Sequence, residues 1–324
     1  MLDRPVGDSL AGSALLDARL HGWVRDFAAD VTTTAADLYF AGNRATVAQL
    51  DAALIALPAA PGGRIAVQGD TLTLANLGLQ SLRAEAALAG REPAGVSIRA
   101  LGQSGTRLDF GGLLALRGDT TQLLADSLTL RTALHTWRMA DATRLSVARG
   151  GFTLDSLLLA ASGSSQVALS GGLPAEGPLD FRLRARDLPM ADVAELLQLR
   201  EIERGRLSAD ARFGGTRESP TLDAEAELRD GLLRGVRLDT LAARIVAQRD
   251  RLDLRLALGR RNAPFAVADA ALPLQLDLSG RGVQMVPDGA VRGSVRADSV
   301  DLGLFEALTR GVGGARGSLQ LGLA

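Results

Sequence analysis

Cysteine and lysine are both absent from the 324 residues, histidine occurs twice, and the aromatic side chains number eight Phe, two Trp and one Tyr. Each absence removes chemistry. Without cysteine there is no disulfide, no thiolate nucleophile and no Cys-type zinc site. Without lysine there is no P-loop lysine, no Schiff base and no lysine general base, so the 36 basic residues are all arginine. His21 and His135 lie far apart and form neither an HExxH motif nor an i, i+4 pair, which argues against a zinc or metalloprotease site. An aromatic content of 3% is too low for a thick globular core, which leans on large rings, but suits a thin layer of Leu, Ala and Val.

Charge of one sign is also missing. The 37 acidic residues balance the arginines and the two are interspersed, so no basic stripe announces nucleic-acid binding. No run reaches the roughly 18–20 apolar residues of a membrane-spanning helix. The longest, AALIALPAA (Ala52 to Ala60), is half that length and contains Pro58. The opening MLDRPVGDSLAGS has no basic region followed by an apolar one, so no export signal is expected within it.

What is present is alternation. In TLDAEAEL, Leu222, Ala224, Ala226 and Leu228 are apolar while Thr221, Asp223, Glu225 and Glu227 are polar. Period two means a strand with one dry and one wet face. The same grammar gives Leu179, Phe181 and Leu183 in LDFRLRA; Leu207, Ala209, Ala211 and Phe213 in RLSADARF; Leu252, Leu254, Leu256 and Leu258 in LDLRLAL; and Leu272, Leu274, Leu276 and Leu278 in LPLQLDLSG. Short alternating runs closed by Gly, Pro, Asn or Asp predict an all-β, mainly antiparallel sheet. Two segments break the pattern: PMADVAELLQLR (Pro189 to Arg200) and DLGLFEALTR (Asp301 to Arg310) have helical spacing. RATVAQLDAALIAL (Arg44 to Leu57) fits strand or helix, with a lean to strand.

A gapless shift of 112 places Ala185 on Ala297, Val193 on Phe305, Arg204-Gly205 on Arg316-Gly317 and Leu207 on Leu319. Residues 178–212 thus repeat as 290–324, in the manner of a quasi-one-dimensional array. The second copy stops at Ala324, opposite Arg212 of the first. Residues 1–324 are therefore read as one continuous segment of a longer array, cut at both ends.

Catalytic motifs do not emerge. There is no GxSxG elbow, and GVGGARG (Gly311 to Gly317) carries Arg316 where a dinucleotide loop needs its third glycine and follows a helix instead of a strand. Carboxylates at strand spacing read as solvated surface. The expectation is a non-enzyme with no metal or cofactor. Trp137, in HTWRM, reads as a core anchor.

From Thr136 onward a resemblance gathers. TWRMADATRLSVARGGFTLDSLLLAASGSSQVALSGGLPAEGPLDFRLRARDLPMADVAELL resembles the TamB/AsmA-like proteins of bacterial envelopes, in which W-x-L/M, G-x-x-L-D-x-L-x-L and L-x-G-x-L-P lead into a strand, a short helix and G-x-L. GGTRESPTLDAEAELRDGLLRGVRLDTLAARI, with Pro220 and Gly231, is similar to the unit those proteins repeat. The resemblance implies an elongated, strongly curved repeating β-groove with a few short inserted helices and an apolar channel lined by the Leu, Ala and Phe positions named above. It further implies a place in the periplasm, an inner-membrane anchor that this chain does not contain, and an outer-membrane β-barrel partner. The implied function is carriage of phospholipids, held by their acyl chains, between inner and outer membranes during outer-membrane biogenesis. An alternative within the family is a translocation and assembly factor that guides β-barrel or autotransporter substrates. A closed, inert β-solenoid is a third reading, but solenoids favour repeats of roughly 20–30 residues.

Overall fold

The computed structural model describes residues 11–40, 43–74, 77–197, 202–233, 236–260, 263–279, 282–286, 289–301 and 318–323. The chain is all-β, as its alternation predicts, and divides into two compact units, residues 1–146 and 147–324.

The first unit is an antiparallel meander of β1 (Ala11–Trp23), β2 (Asp26–Phe40), β3 (Asn43–Leu57), β4 (Gly62–Leu74), β5 (Leu77–Ala89), β6 (Glu92–Gly102), β7 (Arg107–Arg117), β8 (Thr120–Arg131) and β9 (Thr136–Met139), each paired with the next. The ambiguous Arg44–Leu57 run is thus a strand. Two-residue turns such as Gly90-Arg91 and Gly118-Asp119, each with glycine at positive φ, close its hairpins. β10 (Thr143–Ala148) lies where the chain passes out of this unit.

The second unit continues the grammar with β11 (Gly151–Ala160), β12 (Gln166–Leu173), β13 (Asp180–Pro189), α1 (Met190–Leu197), β14 (Ile202–Gly215), β15 (Pro220–Leu233), β16 (Val236–Gln248), β17 (Arg251–Arg260) and β18 (Ala263–Leu272). A separate hairpin follows, β19 (Leu274–Asp277) with β20 (Gly282–Met285), before β21 (Arg292–Asp301) and β22 (Ser318–Leu323). β11 to β18 form a consecutive antiparallel ladder, β21 joins β18, and β22 joins β21. α1 is the helix expected after Pro189, whose fixed φ and missing N–H suit a helix start. Its Met190 and Asp192 are buried. The second expected helix and the GVGGARG loop lie outside the described residues.

Between β13 and β14 the register runs Ala185↔Ala209 and then Leu188↔Leu207, so β13 carries one extra residue. This bulge inverts the alternation once: Phe181, Leu183 and Ala185 share odd numbers, and Leu188 then joins the same face. Asp187, at φ 50°, sits in it. Its carboxylate accepts from Arg206 at 2.8 Å, its carbonyl accepts from the Ser165 hydroxyl at 2.8 Å, and its N–H donates to Ser208 Oγ at 3.2 Å. β21 and β22 pair Ala297↔Leu321 and then Val300↔Leu319, the same register and the same bulge displaced by 112 residues.

There is little core in the usual sense. Of the thirteen buried apolar residues among those described, eight are alanine. Most described residues on the apolar strand faces are intermediate between buried and exposed, so those faces are half covered.

Candidate functional site

The registers align the dry residues of neighbouring strands into rows. In the second unit one row reads Phe181, Phe213, Leu222, Ala247, Leu252, Leu272 from β13 to β18. The next reads Leu183, Ala211, Ala224, Ile245, Leu254, Ala270, and the third Ala185, Ala209, Ala226, Ala243, Leu256, Ala268, with Val295 of β21 completing it. The fourth, past the bulge, is Leu188, Leu207, Leu228, Leu241, Leu258, Ala266, Ala297. A one-residue slip in any strand would turn its whole set to the other side, so the rows exist only because every register agrees. Most members are half-buried, Ala247 is fully buried, and Leu256 is 37% exposed.

Fifteen of the nineteen residues expected to line the groove stand in these rows. Leu179 does not: it precedes β13, is buried, and donates its N–H to the Gly215 carbonyl at 2.8 Å. Leu274, Leu276 and Leu278 do not either. Pro273 has no N–H to give the ladder, so the run breaks there and Leu272 ends β18. Leu274 and Leu276 pair with Met285 and Val283 in the separate hairpin, and Leu278 lies in its turn. That turn is tied down by Arg217, whose carbonyl accepts from the Leu278 N–H at 2.6 Å and whose guanidinium donates to the Leu278 and Gly150 carbonyls at 2.9 and 2.7 Å.

Rings supply bulk at one rim. Phe152 meets Phe181 edge-on at 5.9 Å between centroids, and Phe181 meets Phe213 at 6.4 Å. Gly171, opposite Phe181, sits at φ 91°, and a Cβ there would fall 1.7 Å from the Asp180 carbonyl oxygen. Only glycine fits that approach.

The first unit builds a comparable face, none of whose residues was among those expected to line the groove. Its rows include Val31, Ala52, Ile65, Ala86, Val96 and, beside it, Thr33, Leu50, Val67, Ala84, Ile98, Phe110, Leu128. Thr33, Gly69 and Gly112 interrupt the apolar alternation there, which hid part of the pattern; counting β-branched and small residues as compatible would have found the rest. Trp137 ends the neighbouring row, opposite Leu130, and is 3% exposed. β1, paired along β2, is exposed at all 13 of its residues, including Leu16 and Leu20.

The opposite face is ionic. In the second unit Arg184 meets Asp210 at 2.9 Å, Arg244 pairs with Glu225, and Arg255 lies 3.8 Å from Asp269. Such exposed pairs contribute little stability, but they keep that face wet. The hydrogen bond from Arg229 holds the Glu227 carboxyl below the usual glutamate range, and Arg83, helped by Arg64, does the same to Glu85. Among the described residues no cluster of His, Asp or Glu could hold a metal ion, and no helix is long and apolar enough to cross a membrane.

No protein-family model, curated protein or solved structure matches the chain.

Proposed function

We propose that the dry faces hold lipid acyl chains, and that the chain is a segment of a hydrophobic path carrying phospholipids between the inner and outer membranes. The observation that carries this reading is the set of aligned rows in the second unit: six or seven strands deep, apolar throughout, half-covered, and backed by an ionic face. Large contiguous apolar surface left open on a protein marks a site of interaction. Each methylene of an acyl chain laid along it gains about 0.8 kcal/mol on burial. Small side chains favour such use, because alanine at positions 209, 211, 224, 226, 243, 268 and 270 leaves depth between the leucines. No bond is made or broken, and the polar headgroup needs no dedicated site on this face. The periplasmic setting, the inner-membrane anchor and the β-barrel partner belong to the same proposal, through the resemblance to TamB/AsmA-like proteins.

A second reading has its own observation. β1 presents an exposed alternating strand, Leu16, Ala18, Leu20, beside β2. A substrate strand could add there by backbone pairing, as a barrel-assembly factor would require.

The experiment is mass spectrometry of an organic extract from the purified protein, beside a variant with Leu252, Leu254 and Leu256 changed to Asn. Stoichiometric phospholipid in the parent, absent from a variant that retains its β circular dichroism, is the expected result. A folded parent free of lipid, even after incubation with phospholipid vesicles, would remove the acyl-chain reading and leave strand addition at β1.

A further inference from the structure

Among the described residues, five pairs of arginines stand directly opposite each other across neighbouring strands: Arg83 and Arg99, Arg107 and Arg131, Arg182 and Arg212, Arg206 and Arg229, Arg244 and Arg255. Like charges in that position destabilise a sheet. In four of the pairs each guanidinium has its own carboxylate. Arg83 reaches Glu85 at 2.7 Å and Arg99 reaches Asp109 at 4.0 Å. Arg182 has Asp180 at 3.2 Å and Arg212 has Asp210 at 3.7 Å. Arg206 has Asp187 at 2.8 Å and Arg229 has Glu227 at 2.9 Å. Arg244 has Glu225, and Arg255 has Asp269 at 3.8 Å. Arg107 and Arg131 are the exception: among the described residues neither has a carboxylate within 4.0 Å.

The exception lies in a cleft. Arg107 and Arg131 share a depression of about 640 Å³ on the polar face of the first unit with Arg83, Arg99, Gln68 and Ser81, and Asp109 is the one carboxylate lining it. Arg83 and Arg99 are answered by Glu85 and Asp109, so Arg107 and Arg131 leave an excess of two positive charges. Elsewhere on the chain the same strand-pair geometry is neutralised from within. Here the neutralising groups are missing while the donors converge, and Gln68 and Ser81 supply neutral hydrogen-bond donors at the margin.

We propose that this cleft is an anion site for a phosphate group, with Arg107 and Arg131 as its principal ligands. A planar guanidinium presents two parallel N–H donors that match adjacent phosphate oxygens, and two opposed forks can grip one tetrahedral anion from both sides. A phosphate dianion balances the excess charge and converts a repulsive cross-strand pair into a bridged one. The phosphate can belong to a soluble ester or to a lipid headgroup; the chemistry is the same. The site is on the face opposite the apolar rows and does not depend on their use.

The test compares the parent, R107Q/R131Q, and R182Q/R212Q, the last removing an opposed pair that has its own carboxylates. Each is titrated calorimetrically with inorganic phosphate, then floated with phosphatidylglycerol and with phosphatidylcholine vesicles, at physiological ionic strength. Expected is saturable phosphate binding to the parent and to R182Q/R212Q, weakened by about tenfold or more in R107Q/R131Q. Flotation with phosphatidylglycerol alone, lost only in R107Q/R131Q, assigns the same site to a headgroup. Absence of both kinds of binding in the parent, or equal loss in the two variants, overturns the proposal. Folding is not in doubt for the decisive variant, because it relieves a repulsion at exposed positions; its urea midpoint should match or exceed the parent's.

Discussion

A matched pair of substitutions in the second unit separates an open apolar face from a closed core. Leu238 of β16 is 2% exposed and packs with Leu258, Phe265, Ala266 and Ala297, whereas Leu256 of β17 is 37% exposed. Replacing Leu238 with Asn forfeits the full burial of a leucine, about 1.5–3 kcal/mol. It also strands an amide away from water, at about 1–3 kcal/mol more. The expected cost is about 3–5 kcal/mol. At Leu256 about two-thirds of the side chain is covered, so the transfer loss is about 1–2 kcal/mol, and the new amide reaches solvent. L256N should therefore cost about 2 kcal/mol less than L238N in urea unfolding of the delipidated protein, with equal slopes for the two transitions. Adding phospholipid should stabilise the parent in proportion to occupancy and leave L256N less stabilised, since a ligand contributes only where it binds the folded state. Equal costs of 3 kcal/mol or more for both variants, with no lipid response, would mean that Leu256 belongs to a closed core, and the reasoning from half-buried rows would fail.

Four further outcomes follow from particular positions. Gly171→Ala should cost about 2 kcal/mol more than Gly177→Ala, measured by urea midpoint: both glycines have φ near 91–93°, but an added Cβ at 177 meets nothing within 4 Å while at 171 it strikes the Asp180 carbonyl. Acrylamide quenching should resolve two tryptophans in the native protein, Trp23 at 84% exposure readily quenched and Trp137 at 3% protected; a single class would contradict the burial of β9. Glu85 and Glu227 have carboxyl pKa values depressed by arginine hydrogen bonds, so their stabilisation is present above the ordinary glutamate value and lost as pH falls through the depressed folded values. E85Q/E227Q should accordingly flatten the acid limb of the stability–pH curve, and an unchanged limb would deny those pairs a role. Deleting Asp187 should leave a folded protein, since Leu188 then falls opposite Leu207 without a bulge, whereas deleting Arg184 removes the bulge too but places Arg186 opposite Ala209 on the dry face and should lower the urea midpoint further; equal damage from the two would refute the facing argument.

Period-two reading recovered strand identity and facing for β13, β14, β15 and β17 because each carries three or four dry residues in an unbroken alternation, whereas β16, with Ala242 and Val246 between its dry residues, gave no such signal. It failed at LPLQLDLSG for a local reason: the proline that fits the alternation also lacks the N–H that a ladder needs, and the chain leaves β18 there. In the first unit the alternation is legible at Val96-Ile98-Ala100 and Leu108-Phe110, and elsewhere it is interrupted by Thr33 and by glycines that a strand tolerates beside large neighbours. The arginine cleft was not legible at all. Arg83, Arg99, Arg107 and Arg131 come from four consecutive strands, with intervals of 16, 8 and 24 residues that follow no motif. Only the accumulated register of β5 to β8 places them together, and overall charge balance masks a local excess.

The bulge at Asp187 links alternation to repetition. A strand that enters a helix after an unbroken alternation fixes which side the helix leaves from; one extra residue reverses that choice while returning Leu188 to the dry side opposite Leu207. The same extra residue, in the same register, recurs between Ala297 and Val300 opposite Leu321 and Leu319. The shift of 112 carries Leu183 and Ala185 onto Val295 and Ala297, which pair with Ala268 and Ala266 of the dry rows. Without the extra residue Asp187 would fall opposite Leu207 and Leu188 would turn to the polar face. Continuity of the dry face from β13 into β14 thus depends on that one inserted residue, while from β14 to β18 it rests on the registers of the intervening hairpins.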